Sequence, residues 1–245
     1  MSGHSHAANI AARKGAVDAK RGQLFSKLCR AVYVAARMGG GDPAMNIRLR
    51  YAIDKARSYS CPKENIERSI KKATGELGAD TFEEVLYEGY GPGGVAVMCT
   101  ALTNNRNRTA GDVRRMFDIC GGNLGGSGSV SYLFNYKGIF VVDARHIDED
   151  ALTELVLEAG ADDLTRDGDY FEVTSDPKAF DAVRKFLEEK KVPVEESEIG
   201  YIPTNYVDLD ADNAKRMLRL RDLLDENEDV QDVYSNENIP EGVTA

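Results

Sequence analysis

The chain has 245 residues, of which 42% are hydrophobic, and a formal net charge of −10 at pH 7. No apolar run reaches the roughly 20 residues of a membrane-spanning helix, and the first residues lack the apolar core of a secretory signal. These features argue against a membrane protein and predict a cytoplasmic protein of one to three domains.

Positive and negative charges are unevenly divided along the chain. Residues 1–75 hold 15 Lys and Arg against five Asp and Glu, a formal charge of +10, whereas residues 76–245 hold 16 against 36, a formal charge of −20. A compact segment with this positive charge attracts polyanions. The division predicts a nucleic-acid-binding module on an acidic body. The alternative is a basic surface that binds only the acidic half of the same chain.

The first predicted helix runs from about residue 16 to residue 38. Leu24, Leu28 and Val32 recur at helical spacing and form an apolar stripe. Four cations fall within an arc of roughly 100° on the other side of this helix. They are Lys20, Lys27, Arg30 and Arg37. We expect these side chains to be exposed, to contribute little to folding and to contact phosphate groups.

Two further helices complete a predicted N-terminal bundle. Asp42 suits the N-cap of the second helix, which extends to about residue 58 with Met45 and Leu49 facing inward. The third begins after Pro62 and ends at Gly75. Short connections between the three helices are typical of a helical bundle.

The acidic remainder predicts two α/β domains. Residues 137–203 read as strand, helix, two strands, helix and strand, the βαββαβ order of a ferredoxin-like fold. Residues 80–136 supply strands and one helix, with one strand predicted over 130–134, and residues 204–245 supply another helix and strand. We therefore predict an α+β protein with three domains: a basic helical domain, an α/β domain, and a third, ferredoxin-like domain inserted into the second. The predicted ranges are 1–79, 80–136 plus 204–245, and 137–203. The alternative is one continuous sheet over 80–245.

Arg106 and Arg108 precede a predicted helix that starts at Ala110, with Thr109 as its N-cap. Helix N-termini and guanidinium groups both favour anions, so this segment is a candidate phosphate site. Pairing of the two arginines with carboxylates of the acidic body is an equally good interpretation.

Other motifs do not indicate catalysis. The glycine-rich segment 88–94 enters a strand rather than a helix, which favours a tight turn over a nucleotide-binding loop. The sequence has no hydrolase or metalloprotease motif. No two of the four cysteines show C-x-x-C spacing, which indicates buried free thiols rather than a zinc site. We predict a protein that is not an enzyme and has no cofactor or metal.

Several motifs resemble the YebC family over nearly the whole chain. These stretches are Gly3-His4-Ser5, Ala8-Asn9-Ile10, Arg13-Lys14, Asp18-Ala19-Lys20-Arg21-Gly22, Gly39-Gly40-Gly41-Asp42-Pro43, Tyr87-Glu88-Gly89-Tyr90-Gly91-Pro92-Gly93-Gly94, Asn105-Arg106-Asn107-Arg108-Thr109 and Gly121-Gly122-Asn123-Leu124-Gly125. The start departs from the family pattern, because His6 and Ala7 occupy positions that usually hold Lys and Trp, and Ala11-Ala12 replaces a Lys-His pair. The N-terminal tail has therefore lost cations and an aromatic ring that could stack on a base.

The resemblance implies a helical domain followed by two α/β domains, the third inserted into the second. It also implies a DNA-binding transcriptional regulator, although some members, including the mitochondrial translational activator of cytochrome c oxidase, act in translation at the ribosome. The expected partner is thus DNA, or rRNA and tRNA on the ribosome, and not a membrane. The nucleic-acid-binding residues that we predict are Arg13, Lys14, Lys20, Arg21, Lys27, Arg30, Arg37, Arg106 and Arg108.

Overall fold

The computed structural model describes residues 21–75, 82–240 and 242–243. Its first part is the predicted helical bundle, made of α1 (Arg21–Gly39), α2 (Ile47–Ser58) and α3 (Lys63–Thr74). Helix α1 packs against both other helices. The buried stripe of α1, which includes Leu28 and Val32, meets Leu49 of α2 and Ile66 of α3 in one apolar core.

The start of α2 differs from the prediction. The helix begins four residues after Pro43, and Asn46 is its N-cap, because the Asn46 side chain accepts a hydrogen bond from the Leu49 amide at 3.0 Å. The Asn46 amide group also donates to the carbonyls of Ala35 and Gly40, at 2.8 Å each. These bonds tie the start of α2 to the end of α1. The prediction that Met45 faces inward is wrong, since 84% of this side chain is exposed.

The second domain is a four-stranded antiparallel sheet covered on one face by two helices. Its strands are β1 (Glu83–Tyr90), β2 (Ala96–Thr103), β3 (Asn123–Leu124) and β9 (Val230–Ser235), in the order β3-β1-β2-β9. Its helices are α4 (Arg106–Cys120) and α7 (Ala211–Glu226), which pack against each other. Between β1 and β2 the glycine-rich segment forms a short 3-10 turn, Pro92–Gly94, as predicted. The short strands β8 (Val207–Asp208) and β10 (Glu237–Asn238) pair separately.

The third domain has the predicted ferredoxin-like topology. Its elements are β4 (Phe134–Asp143), α5 (Glu149–Ala159), β5 (Asp163–Asp167), β6 (Tyr170–Ser175), α6 (Phe180–Glu189) and β7 (Val194–Pro203). The strands form an antiparallel sheet in the order β5-β6-β4-β7, which is the ferredoxin-like arrangement.

The connectivity confirms the predicted insertion. Strand β9 follows the third domain in the chain yet pairs with β2, which precedes it. The two sheets are separate, so the alternative of one continuous sheet is wrong. The predicted strand over 130–134 is also wrong, because residues 131–133 form a 3-10 turn. Strand β4 instead starts at Phe134, which pairs with Pro203, and it crosses the predicted boundary between residues 136 and 137. The domain ranges themselves stay a prediction.

Candidate nucleic-acid interface

Two of the four predicted cations of α1 point into the second domain. Lys27 is only 8% exposed, and its Nζ donates a hydrogen bond to the Asp225 carbonyl at 2.5 Å. Arg30 is half-buried and donates to the carbonyls of Leu102 and Glu228, at 3.2 and 2.7 Å. The prediction that both side chains are exposed is wrong. Helical periodicity places them away from the core of the bundle, but a second domain covers that side.

Asp229 joins the helical domain to the second domain. The carboxylate accepts hydrogen bonds at 2.7 Å from Arg30 of α1, Arg108 of α4 and the hydroxyl group of Thr109. Burial raises the pKa of Asp229, but the hydrogen bonds from Thr109 and Arg108 and the positive charges of Arg108 and Arg30 outweigh this effect and hold the pKa below its ordinary value. The carboxylate is therefore ionised at neutral pH, and two predicted phosphate-binding arginines bind it instead.

The helix that contains Arg106 and Arg108 begins earlier than predicted. Asn105 is the N-cap of α4, because its side chain accepts from the Arg108 amide at 3.1 Å. Thr109 lies inside the first turn, fully buried against Asp229, so its assignment as a cap is wrong. Arg108 pairs with Asp229. For this residue the alternative interpretation, pairing with a carboxylate of the acidic body, is confirmed. Arg106 remains exposed.

Helix α2 also directs its cations at the acidic domains. Arg48 pairs with Glu84 at 2.7 Å, and Arg50 pairs with Asp181 of the inserted domain at 2.9 Å. Lys55 lies between Asp232 and Glu198, one from each α/β domain, at 2.9 and 3.4 Å. Burial alone would lower the pKa of Lys55, but these two carboxylates raise it well above its ordinary value. On this side of the bundle the basic surface binds the acidic half of its own chain.

A different part of the bundle carries exposed cations. Arg68 and Lys71 of α3 are exposed and have no ion pair within the described part of the chain, and Lys72 is exposed with its ammonium 5.7 Å from the centre of the Tyr33 ring. Arg37 is exposed and donates to the Ala73 carbonyl at 3.3 Å, which places it beside the end of α3. We call this surface the α3 face: it consists of Arg37, Arg68, Lys71 and Lys72.

The sequence contains a signal for the α3 face, although only Arg37 of its four members is among the predicted binding residues. Positions 68, 71 and 72 are spaced by three and four residues, so they share one side of a helix. That side is opposite to buried Ile66 and Ala73. The spacing of cations along α3 could therefore have identified this face before the structure was known.

The nine predicted nucleic-acid-binding residues divide into three groups. Arg13, Lys14 and Lys20 lie outside the described residues, and only the backbone of Arg21 is described. Arg37 and Arg106 are exposed. The other three make internal contacts: Lys27 is buried, Arg30 is half-buried, and Arg108 is exposed but ion-paired with Asp229.

The described residues show neither a membrane span nor a metal site. None of their helices is long and apolar enough to cross a bilayer. No three His, Cys, Asp or Glu side chains among them are grouped so as to hold a metal ion. All four cysteines are free thiols, and Cys61, Cys99 and Cys120 are buried while Cys29 is half-buried.

Two protein-family models together match nearly the whole length of the chain. The family model described as "TACO1/YebC protein N-terminal domain" matches residues 5–76, and the model described as "TACO1/YebC second and third domain" matches residues 82–237. A "Probable transcriptional regulatory protein" of Treponema denticola is 53% identical, over 99% of this chain and 98% of the relative. A relative of the same description from Geobacter sulfurreducens is 52% identical, over 98% of this chain and 96% of its own. These relatives carry the names of regulatory proteins rather than of enzymes.

A solved structure confirms the fold. The crystal structure of a conserved hypothetical protein from Aquifex aeolicus superimposes with a TM-score of 0.84 at 46% sequence identity. The match covers 94% of this chain and 95% of the other. The arrangement of helices and antiparallel sheets described above is therefore shared with an experimentally determined relative.

Proposed function

Because the chain belongs to the TACO1/YebC family, we propose that it is a regulator of gene expression that binds nucleic acid through its helical domain. The relatives' names supply the regulatory role. The observation that carries the binding proposal is the α3 face, where Arg37, Arg68 and Lys71 are exposed without ion pairs among the described residues. Cations that are already solvated and unpaired can contact phosphates without breaking an internal ion pair.

The favoured mode of binding is electrostatic contact with the phosphate backbone. Arg68, Lys71 and Lys72 lie on one side of α3, and Lys and Arg side chains bind phosphate oxygens through their charge. Phosphate contacts fix the position of a protein on a duplex without reading its sequence. We therefore expect weak discrimination between base sequences.

A second candidate function is translational regulation at the ribosome. Phosphate contacts serve DNA and RNA equally well, so the α3 face supports both. Sedimentation of the tagged full chain through a polysome gradient, with and without nuclease, separates the two functions. Migration with ribosomal particles favours translation, whereas absence from these particles together with protected sites on DNA favours transcription.

Salt titration tests the binding proposal itself. The logarithm of the affinity of the full chain for a fluorescent DNA duplex, and for an RNA duplex, should fall linearly with the logarithm of the salt concentration. On B-form DNA the slope should be about −0.9 per neutralised phosphate. Fluorescence anisotropy at several salt concentrations measures this slope. No binding at low salt, or an affinity that does not depend on salt, would contradict the proposal.

A further inference from the structure

The acidic body carries a second group of exposed cations. Five side chains on the paired helices α4 and α7 are exposed and form no ion pair with any residue that the structure describes: Arg114, Arg115, Lys215, Arg216 and Arg219. They belong to a segment, residues 76–245, with a formal charge of −20. Charge of the opposite sign is thus concentrated on one pair of helices within an acidic region.

The inward sides of α4 and α7 pack in the core of the second domain. Val113 and Phe117 of α4 and Met217 and Leu220 of α7 are fully buried in the core of the second domain. The five cations lie at other helical positions and contribute to the solvent side of the pair. They are therefore not needed to hold the helices on the sheet.

Two cations of α7 lie near the end of α4. A Cβ atom at Gly121, which ends α4, would lie 3.7 Å from Nη1 of Arg216. Burial raises the pKa of Cys120, and the nearby charge of Arg219 opposes this rise. Arg115 precedes Cys120 by five residues, about 7.5 Å along the helix axis. We call the surface formed by Arg114, Arg115, Lys215, Arg216 and Arg219 the α4–α7 face.

The α4–α7 face is separate from the contact between the helical domain and the body. That contact uses Arg108 near the start of α4 and the Asp225 carbonyl near the end of α7. Gly121 follows the last residue of α4, and Arg216 lies in the first half of α7. Arg115 lies seven residues after Arg108, and Arg219 lies six residues before Asp225, which corresponds to about 10 Å and about 9 Å along the helix axes.

We propose that the α4–α7 face is a second phosphate-binding surface, which holds the backbone of the nucleic acid that the proposed function assigns to this chain. The inference rests on the proposed function, because it assumes that the ligand is a nucleic acid. Four of the five cations are arginines, whose planar guanidinium groups match phosphate oxygens with paired hydrogen bonds.

Charge-reversal variants of the full chain test this surface. Arg115→Glu/Arg219→Glu should weaken binding to a 30-base-pair RNA or DNA duplex at least tenfold at about 0.1 M salt, and it should make the salt slope less negative. The matched control is Lys178→Glu/Lys185→Glu, which changes the net charge equally at two exposed cations of the inserted domain. The control should weaken binding less than threefold. Thermal unfolding checks that both proteins are folded, and Arg115→Gln/Arg219→Gln replaces the first variant if charge reversal impairs folding.

The outcomes separate this inference from the proposed function. Normal binding by Arg115→Glu/Arg219→Glu, with weakened binding by Arg68→Glu/Lys71→Glu, overturns the α4–α7 face and leaves the proposed function standing. Equal weakening by the Lys178→Glu/Lys185→Glu control overturns it as well, because net charge alone then explains the loss. If the unaltered chain binds poly-glutamate but no duplex, both proposals are wrong and the face belongs to an acidic protein partner.

Discussion

The cations that face the acidic domains and the cations of the α3 face have different surroundings, although the same basic segment supplies both. Lys27, Arg30 and Lys55 contact carbonyls or carboxylates of the acidic domains. Arg68 and Lys71 face solvent and have no ion pair among the described residues. Charge segregation in the sequence therefore has two consequences. One part of the positive charge joins the domains, and only the rest is available to a polyanion.

Reversing the charge on α1 should produce the largest effect on stability. In Lys27→Glu/Arg30→Glu, one new carboxylate is buried beside the Asp225 carbonyl and the other faces Asp229. Removing one partner of a buried charge pair typically costs about 3–5 kcal/mol, and we expect a loss in this range. Chemical denaturation measures it. An unfolding free energy unchanged within about 0.5 kcal/mol would show that α1 does not hold the domains together.

Asp229→Asn should have the next largest effect. The amide loses the charge that Arg30 and Arg108 share, and leaves at least one donor without a good acceptor. Loss of a hydrogen bond to a charged group costs roughly 1–3 kcal/mol. Glu228→Gln is the control, because this neighbouring side chain is exposed. Denaturation curves that shift equally for both variants would argue against a joining role for Asp229.

The pH dependence of stability should follow from the same carboxylate. The pKa of Asp229 is lowered in the folded chain, so its contribution is complete above the unfolded value of about 3.9 and disappears as the pH falls through the lower folded value. The difference in unfolding free energy between the unaltered chain and Asp229→Asn should therefore shrink below about pH 4. A difference that stays constant from about pH 6 to about pH 3 contradicts this assignment.

Sequence patterns were sufficient to predict most of the helices and strands and their order, including the insertion of the third domain. The buried positions Leu28, Val32 and Leu49 recur at helical spacing, and hydrophobic periodicity detects such positions without knowledge of the tertiary structure. The site was harder to predict. Periodicity shows which side of α1 faces away from the bundle, but it carries no information about the domain that covers Lys27 and Arg30.

The errors at helix starts have a similar cause. Asp42 and Thr109 both suit a helix N-cap by residue type, yet Asn46 and Asn105 cap the helices. Asn46 is selected because its amide also bonds to the end of α1. Thr109 is instead held by buried Asp229, which lies 120 positions away in the chain. Contacts between residues so far apart in sequence are set by the tertiary fold and leave no local pattern.

The affinity of Arg68→Glu/Lys71→Glu for duplex nucleic acid tests the binding role of the α3 face most directly. Both side chains are exposed, so the unfolding free energy should change by less than about 0.5 kcal/mol. Binding measured by anisotropy at about 0.1 M salt should weaken at least tenfold, about 1.4 kcal/mol. Lys178→Glu/Lys185→Glu, with the same change in net charge, should weaken it less than threefold. Equal affinities for Arg68→Glu/Lys71→Glu and the unaltered chain would show that the α3 face is only solvated, and would contradict its role in binding.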